Sequence, residues 1–286
     1  MSVRQRKIAA VAQRVLWLVF FVQFVVQWFV DLPYNYWVSW LPALGAIALT
    51  LATSRSTRQQ IAAQPPAPVE VEAPVTGRWS ALNSPATKVP SHGTHQFGQT
   101  YAIDITAEPA EGPARPAPVW FWPVARHPRD YPAFGAPLRA GADATVVHAE
   151  DGQRDHLSRS SLAGVLYFWL AEGIVRSVGG TRRIVGNHIV LDLGDGTYAM
   201  YAHVRQGSLK VRAGDKVLAG QELAECGNSG NSTEPHVHFQ LMDGPDLDSA
   251  RGVPFRWRGV GVPANKEVFT AGERAEAAPQ PEVPAR

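Results

Sequence analysis

STEPHVHFQLMD, Ser232 to Asp243, places two histidines one residue apart in a run that otherwise reads as a buried β-strand. Successive side chains on a pleated strand alternate faces, so His236 and His238 share one face while Val237 and Phe239 share the other. The apolar pair faces a core. The histidine pair then lines a surface that is not core, and the rest of the chain shows what could gather there.

Outward from this strand, HIVLDLGDGTYAMYAHV (His188–Val204) is two alternating runs joined at Asp195-Gly196, a strong β-hairpin signal, and LKVRAGDKVLAGQELAEC (Leu209–Cys226) gives short strands punctuated by glycine. In the hairpin, Tyr201 and His203 are expected on one strand face. Upstream, SHGTHQFGQTYAIDI supplies His92 and His95 in a glycine-containing loop that runs into a strand ending near Asp104. The expected architecture is all-β and mostly antiparallel, an open barrel or sandwich. One helical insertion is expected over SLAGVLYFWLAEGIVRSV, Ser161 to Val178, packed on the sheet or resting on a membrane.

Composition bounds the chemistry. The 286 residues are enough for a substantial core, and the single cysteine, Cys226, excludes an internal disulfide and a thiolate-rich zinc site. Any metal must be held by histidine and carboxylate. A formal charge of +2 with no basic, aromatic-interleaved patch argues against nucleic acid as a partner. No HExxH segment occurs, so the helical zincin arrangement is absent.

Residues 1–53 differ in kind from everything after them. Two apolar runs, Ile8–Val30 and Tyr36–Ala52, are each close to the ~20 residues needed to cross a bilayer. Trp28, Tyr34, Tyr36, Trp37 and Trp40 cluster between them as at a membrane interface. One or two transmembrane helices, read here as a hairpin, therefore anchor the chain to a lipid bilayer, with Arg14 and Pro42 as interruptions. Residues 54–76, rich in Pro, Ala and Gln, read as a tether, and residues 273–286 as a disordered tail. The folded domain is expected over 77–272.

The ensemble of motifs then resembles the lysostaphin-type zinc endopeptidases, the LytM family, which cut peptide bonds in bacterial cell-wall peptidoglycan. The carriers of the resemblance are a His followed by YAID, the block GNHIVLDLGDGTYAMYAH, the block VRAGDKVLAGQELAECGNSGNSTEPHVHFQ, and their order from about Arg78 to Asp243. It implies one Zn²⁺ held by Asp104, His238 and one upstream histidine, with His203 and His236 as catalytic imidazoles that do not bind metal. His95, nine residues before Asp104 and closer to the strand, is the preferred third ligand. His92, twelve residues before Asp104, is its competitor, since ligands need spatial rather than sequential adjacency. The substrate implied is peptidoglycan peptide, which places the domain on the extracytoplasmic face of the cell membrane. Flanking charge alone, with Arg4, Arg6, Lys7, Arg55 and Arg58 outside the two runs, places it in the cytoplasm instead.

Neighbouring residues have plainer readings. Glu234 belongs to a turn or rim, GNSGNS (Gly227–Ser232) to a turn, His188 to a strand start and Cys226 to packing. His127, His148 and His156 are expected at the surface, and the segment 151–183 in a cleft wall. Two rival functions remain at this stage: a non-catalytic cell-wall-binding regulator of another hydrolase with the same fold, and a carrier-type barrel module. The carrier needs a lysine on an exposed hairpin tip and has no use for Asp104.

Overall fold

A computed structural model describes residues 1–272; the expected disordered tail lies outside the described residues. Helix α1 (Val3–Val26) starts at a capping box in which Ser2 and Gln5 exchange hydrogen bonds. A 3₁₀ turn (Tyr36–Trp40) leads to α2 (Leu41–Ala63), where Pro42 sits in the first turn and costs no backbone bond. Both helical segments are long and apolar enough to cross a membrane. They pack as an antiparallel pair, tied by Gln13 Nε2 to Thr50 Oγ1 (2.7 Å) and Gln27 Nε2 to Ser39 Oγ (2.9 Å).

The tether is shorter than composition suggests. SRSTRQQIAA continues α2 to Ala63, because Arg, Gln and Ala are good helix formers without a breaker until Pro65. Strand β1 (Val69–Val71) then pairs in parallel with a late strand, and Val71 is buried.

Strands β2 (Gly77–Leu82), β3 (Ile103–Ala107), β4 (Pro137–Arg139) and β5 (Ala144–Glu150) precede the insertion. The insertion is helical as expected: α3 (Leu162–Tyr167), a π-helical turn (Phe168–Glu172), α4 (Gly173–Val178), and beyond it α5 (Thr181–Val185). Then come β6 (His188–Asp192), β7 (Tyr198–Ala202), β8 (Lys216–Val217), β9 (Glu222–Glu225), β10 (Val237–Met242), β11 (Gly252–Val253), β12 (Phe255–Trp257) and β13 (Val268–Ala271). The main sheet is open and antiparallel, in the order β13-β2-β3-β10-β7-β6-β5-β8, with β11 beside β10. The predicted hairpin is β6–β7.

Alternation gives this sheet two different faces. On one, Ile103, Ile105, Val237, Phe239, Leu241, Tyr201 and Ile189 form the main core, closed by Leu138, Leu223, Phe255 and Trp257. Phe239 is central: its ring lies 5.3 Å from Tyr201 and 5.1 Å from Phe255, both edge-on. Register then sends the polar residues to the other face. Across six strands Leu82, Asp104, His238, Ala202, His188 and Glu150 lie in one row.

Hairpin and domain are joined by charge. Arg6 lies 3.6 Å from Asp243, Lys7 2.7 Å from Asp246 and Arg14 2.6 Å from Asp248, so one acidic loop answers three cations of α1. Arg14 is thus a docking residue at the base of the apolar run. Phe239→Ala is expected to remove about 3–5 kcal/mol of stability, the range for a buried aromatic truncated in a packed core. Denaturant unfolding of the detergent-solubilised chain checks this by a lowered midpoint.

Candidate metal centre and catalytic pair

The site is built where β3 meets β10. Their register sets Asp104 opposite His238, and Asp104 Oδ1 lies 2.8 Å from His238 Nδ1. Asp104 Oδ2 lies 3.0 Å from His92 Nε2. Donor atoms of His92, Asp104 and His238 all fall within 4.8 Å of one another, a group able to hold a metal ion.

His92, and not the preferred His95, therefore faces Asp104. The cause is the path of the loop, which folds back on itself. Gly93 turns it at φ 73°, Phe97 and Gly98 turn it again at φ 57° and 72°, and Ser91 N–H donates to Thr100 O (3.2 Å). That closure lays His92 over the entrance to β3. His95 is carried to the far side of the loop, where its Nδ1 bonds Thr100 Oγ1 (3.0 Å) and its neighbour Gln96 reaches Gln13 of α1. Closeness in sequence misleads here because the intervening residues form a hairpin-like loop rather than extended chain.

Outer hydrogen bonds fix which nitrogen of each ring faces inward. His92 Nδ1–H donates to Ser91 Oγ (3.0 Å), whose hydroxyl in turn donates to Gln99 O. His238 Nε2–H donates to Gln240 Oε1 (3.0 Å), and Gln240 Nε2–H donates to Phe97 O (2.7 Å). Both rings consequently turn a lone pair toward a carboxylate. Acceptors facing acceptors repel unless a cation lies between them, so the residues fit a divalent metal ion. Asn83 Nδ2 adds a bond to Asp104 Oδ2 (2.8 Å). Burial alone would raise the Asp104 pKa, but the imidazoles of His92, His236 and His238 gathered around it hold it well below the usual carboxylate range, so the group a cation meets is the ionised carboxylate.

A second imidazole pair stands beside the first. His203 and His236 have ring centroids 4.8 Å apart, and His203 lies 5.9 Å from His238. His203 Nδ1–H donates to Ser229 O (2.8 Å) and His236 Nδ1–H to Glu234 O (2.8 Å), which leaves both Nε2 atoms free to face the groove. His236 Nε2 is 3.6 Å from Asp104 Oδ1. Burial, reinforced by His236 and His238, pushes the His203 pKa well below the usual imidazole value and keeps the ring neutral.

His203 does not share a face with Tyr201. Strand β7 ends at Ala202, and His203 adopts φ 61°, which swings its ring off the core side, where Tyr201 remains buried, and into the groove. The contortion is held by His203 N–H to Val185 O (3.1 Å) and Gly227 N–H to His203 O (3.0 Å). Its anchor Ser229 is set by a close crossing of Gly186 and Gly230: a Cβ on Gly230 would meet Gly186 N at 2.4 Å.

Other residues fall mostly where the plainer readings put them. Glu234 pairs with Arg115, and Cys226 is buried packing whose thiol pKa is raised by burial. His188 is buried, donates Nδ1–H to Gly186 O and stacks on exposed His148 at 4.4 Å. Their neighbour Glu150 is held by Arg182 through both oxygens (2.7 Å each), so that second His-Glu-His group is an ion-paired cluster. His156 departs from expectation. It is half-buried, with Nε2 2.9 Å from Gly230 O, because the insertion folds over the GNSGNS turn.

Residues 170–249, which contain His203, His236 and His238, match the model of Peptidase family M23. The chain carries a peptidase family M23 domain of the lysostaphin type. It is 39% identical over 74 residues to the glycyl-glycine endopeptidase ALE-1 of Staphylococcus capitis, covering 26% of this chain and 20% of that protein. It is 35% identical over 57 residues to the peptidoglycan DD-endopeptidase ShyA of Vibrio cholerae, covering 20% and 13%. The matched regions thus span about a fifth or less of those relatives. Among solved structures, the catalytic domain of lysostaphin from Staphylococcus simulans aligns with a TM-score of 0.32 at 20% identity, over 62% of this chain and 88% of that one.

Gln240 and Asn83 bond the candidate site residues and are not marked by the sequence motifs. Gln240 was legible in principle, two residues after His238 on the same strand face; Asn83 was not, since it reaches Asp104 only through the β2–β3 pairing. Titration with Zn²⁺ against a chromophoric chelator is expected to show binding lost in His92→Ala and retained in His95→Ala. Gln240→Leu, which frees the His238 tautomer, is expected to weaken binding about 10–100-fold.

Proposed function

We propose that this protein is a membrane-anchored zinc endopeptidase that hydrolyses peptide bonds in peptidoglycan. The observation that carries the reading is the meeting of two differently equipped sets of imidazoles in one groove. One set, His92 and His238 with Asp104, points lone pairs at a shared centre. The other, His203 and His236, has its Nδ1 protons committed to backbone carbonyls and its Nε2 atoms unengaged by them.

When bound at the first set, Zn²⁺ supplies Lewis acidity toward water and toward the scissile carbonyl. The protein's own groups do the rest. His203, which burial keeps neutral, presents its Nε2 lone pair to accept a proton from the attacking water. His236, 3.6 Å from Asp104, completes the pair that stabilises developing charge on the carbonyl oxygen and returns a proton to the leaving amine. The Ser229 and Glu234 carbonyls keep both rings in the tautomer this exchange requires. A carrier or purely adhesive module has no need of such matched tautomers.

Peptidoglycan as substrate places the domain outside the cytoplasmic membrane. Because α1 and α2 are antiparallel and both return to the domain, a spanning hairpin puts the N-terminus on that same face. The basic residues that would favour the cytoplasm, Arg6, Lys7 and Arg14, are answered by Asp243, Asp246 and Asp248.

Incubation of the full chain with peptidoglycan fragments tests the reading. Cleavage should stop on chelation and return with Zn²⁺. His203→Ala and His236→Ala should each lower turnover by about 10²–10⁴-fold while zinc remains bound. Binding of fragments without cleavage by the zinc-loaded wild type would instead support the regulator.

A further inference from the structure

The helical insertion breaks the usual rule for surface helices. Its inner face buries Phe168 and Gly164, yet its outer face is apolar as well: Leu162, Leu166 and Leu170, one turn apart, are 46%, 51% and 70% exposed. A helix apolar on all sides is normally covered on all sides, by protein or by lipid.

A second exposed element is fastened to it. In VWFWPV, Val119–Val124, the side chains of Trp120, Phe121 and Trp122 are 73%, 73% and 82% exposed. The loop is stitched to the start of α3 by Val119 N–H to Ser160 O (2.9 Å), Leu162 N–H to Val119 O (3.0 Å) and Ser160 Oγ to Pro123 O (3.0 Å). Loop and helix therefore move as one surface. Soluble proteins seldom leave so much contiguous apolar area facing water.

The position of this surface identifies what covers it. Helix α4 packs against α1, and Trp169 and Gly173 line one cavity of about 430 Å³ together with Trp17 and Phe21 of α1. Trp17 and Phe21 lie beyond Arg14, the last ion pair between α1 and the domain. From Val15 to Val26, α1 offers only about 18 Å of helix at 1.5 Å per residue, short of the ~30 Å hydrocarbon core. If the hairpin spans the bilayer, the hydrocarbon boundary must reach down to the level of Trp17 and the insertion beside it.

We propose that the Trp120–Trp122 loop and the outer face of α3 are seated in the lipid bilayer, as a second, interfacial contact beside the hairpin. The proposal rests on the hairpin spanning the membrane. Tryptophan at the headgroup level and leucine below it are the side chains such a contact uses. The segment entering the insertion also bonds the turn that leads to His236, through Arg159 N–H to Thr233 O (2.7 Å). Seating it in lipid holds the groove at a set height above the membrane, so peptide close to that surface is the substrate within reach.

Site-specific fluorescence on the full chain, reconstituted in phosphatidylcholine–phosphatidylglycerol vesicles, tests this. An environment-sensitive dye is placed on Phe121→Cys or Leu170→Cys, with Val22→Cys reporting on the hairpin and Leu218→Cys on exposed domain surface. Native Cys226, 1% exposed, stays unlabelled. The expected result is blue-shifted emission and quenching by nitroxide-bearing lipid at positions 22, 121 and 170, with quenching by aqueous iodide alone at 218. Lipid quenching at 22 with iodide quenching at 121 and 170 would overturn the proposal while leaving the hairpin intact. Protection of 121 and 170 from both quenchers, as under a second copy or a protein partner, would overturn it too. Iodide quenching at 22 would remove the hairpin reading, and the proposal with it.

Discussion

The interaction on which the site depends is the confrontation between the Asp104 carboxylate and two imidazole lone pairs. Each ring is held in place from behind, His92 by Ser91 and His238 by Gln240, so neither can turn its proton inward without breaking an outer hydrogen bond. A buried carboxylate facing two acceptors is unstable on its own and stable around a cation. The fold supplies this frustration through sheet register: β3 and β10 must pair with Asp104 opposite His238, and a one-residue slip of β10 would send His238 into the core. Phe239 and Val237 on the opposite face lock that register by burial. The same alternation that builds the core thus builds the candidate metal centre.

The second imidazole pair rests on a constraint of its own, independent of the first. His203 reaches the groove only because the chain leaves β7 in a left-handed conformation, which most residues avoid. The strain is held by backbone bonds to Val185 and Gly227 and by the Gly186–Gly230 crossing that sets Ser229. The glycine-rich turn of GNSGNS therefore acts on the imidazole at a distance, by fixing the carbonyl that chooses its tautomer.

Much of this was legible in the sequence where periodicity and local chemistry coincide. The alternation of HVHFQ, the Asp-Gly hairpin and the helical insertion all appear as read. What was not legible depends on paths through space. The choice of His92 over His95 follows from a loop closing on itself, and the face of His203 from one dihedral angle. Likewise the supposed tether contains the end of α2 and a strand that pairs with residues nearly two hundred positions away. Composition marks a segment as unable to form its own core; it does not show that another part of the chain will provide one. The acidic loop Asp243–Asp248 is a further case, an unremarkable turn until α1 lays its cations against it.

Nitrogen-15 NMR of histidine-labelled protein, recorded with and without Zn²⁺, tests the central claim most directly, because it reports which nitrogen of each ring carries the proton and which binds the ion. The account predicts zinc on Nε2 of His92 and on Nδ1 of His238, each with its proton on the opposite nitrogen, while His203 and His236 keep Nδ1–H and an uncoordinated Nε2. Zinc coordination by His95, His203 or His236, or a metal-free His238 whose proton sits on Nδ1 and stays there when zinc is added, would contradict it.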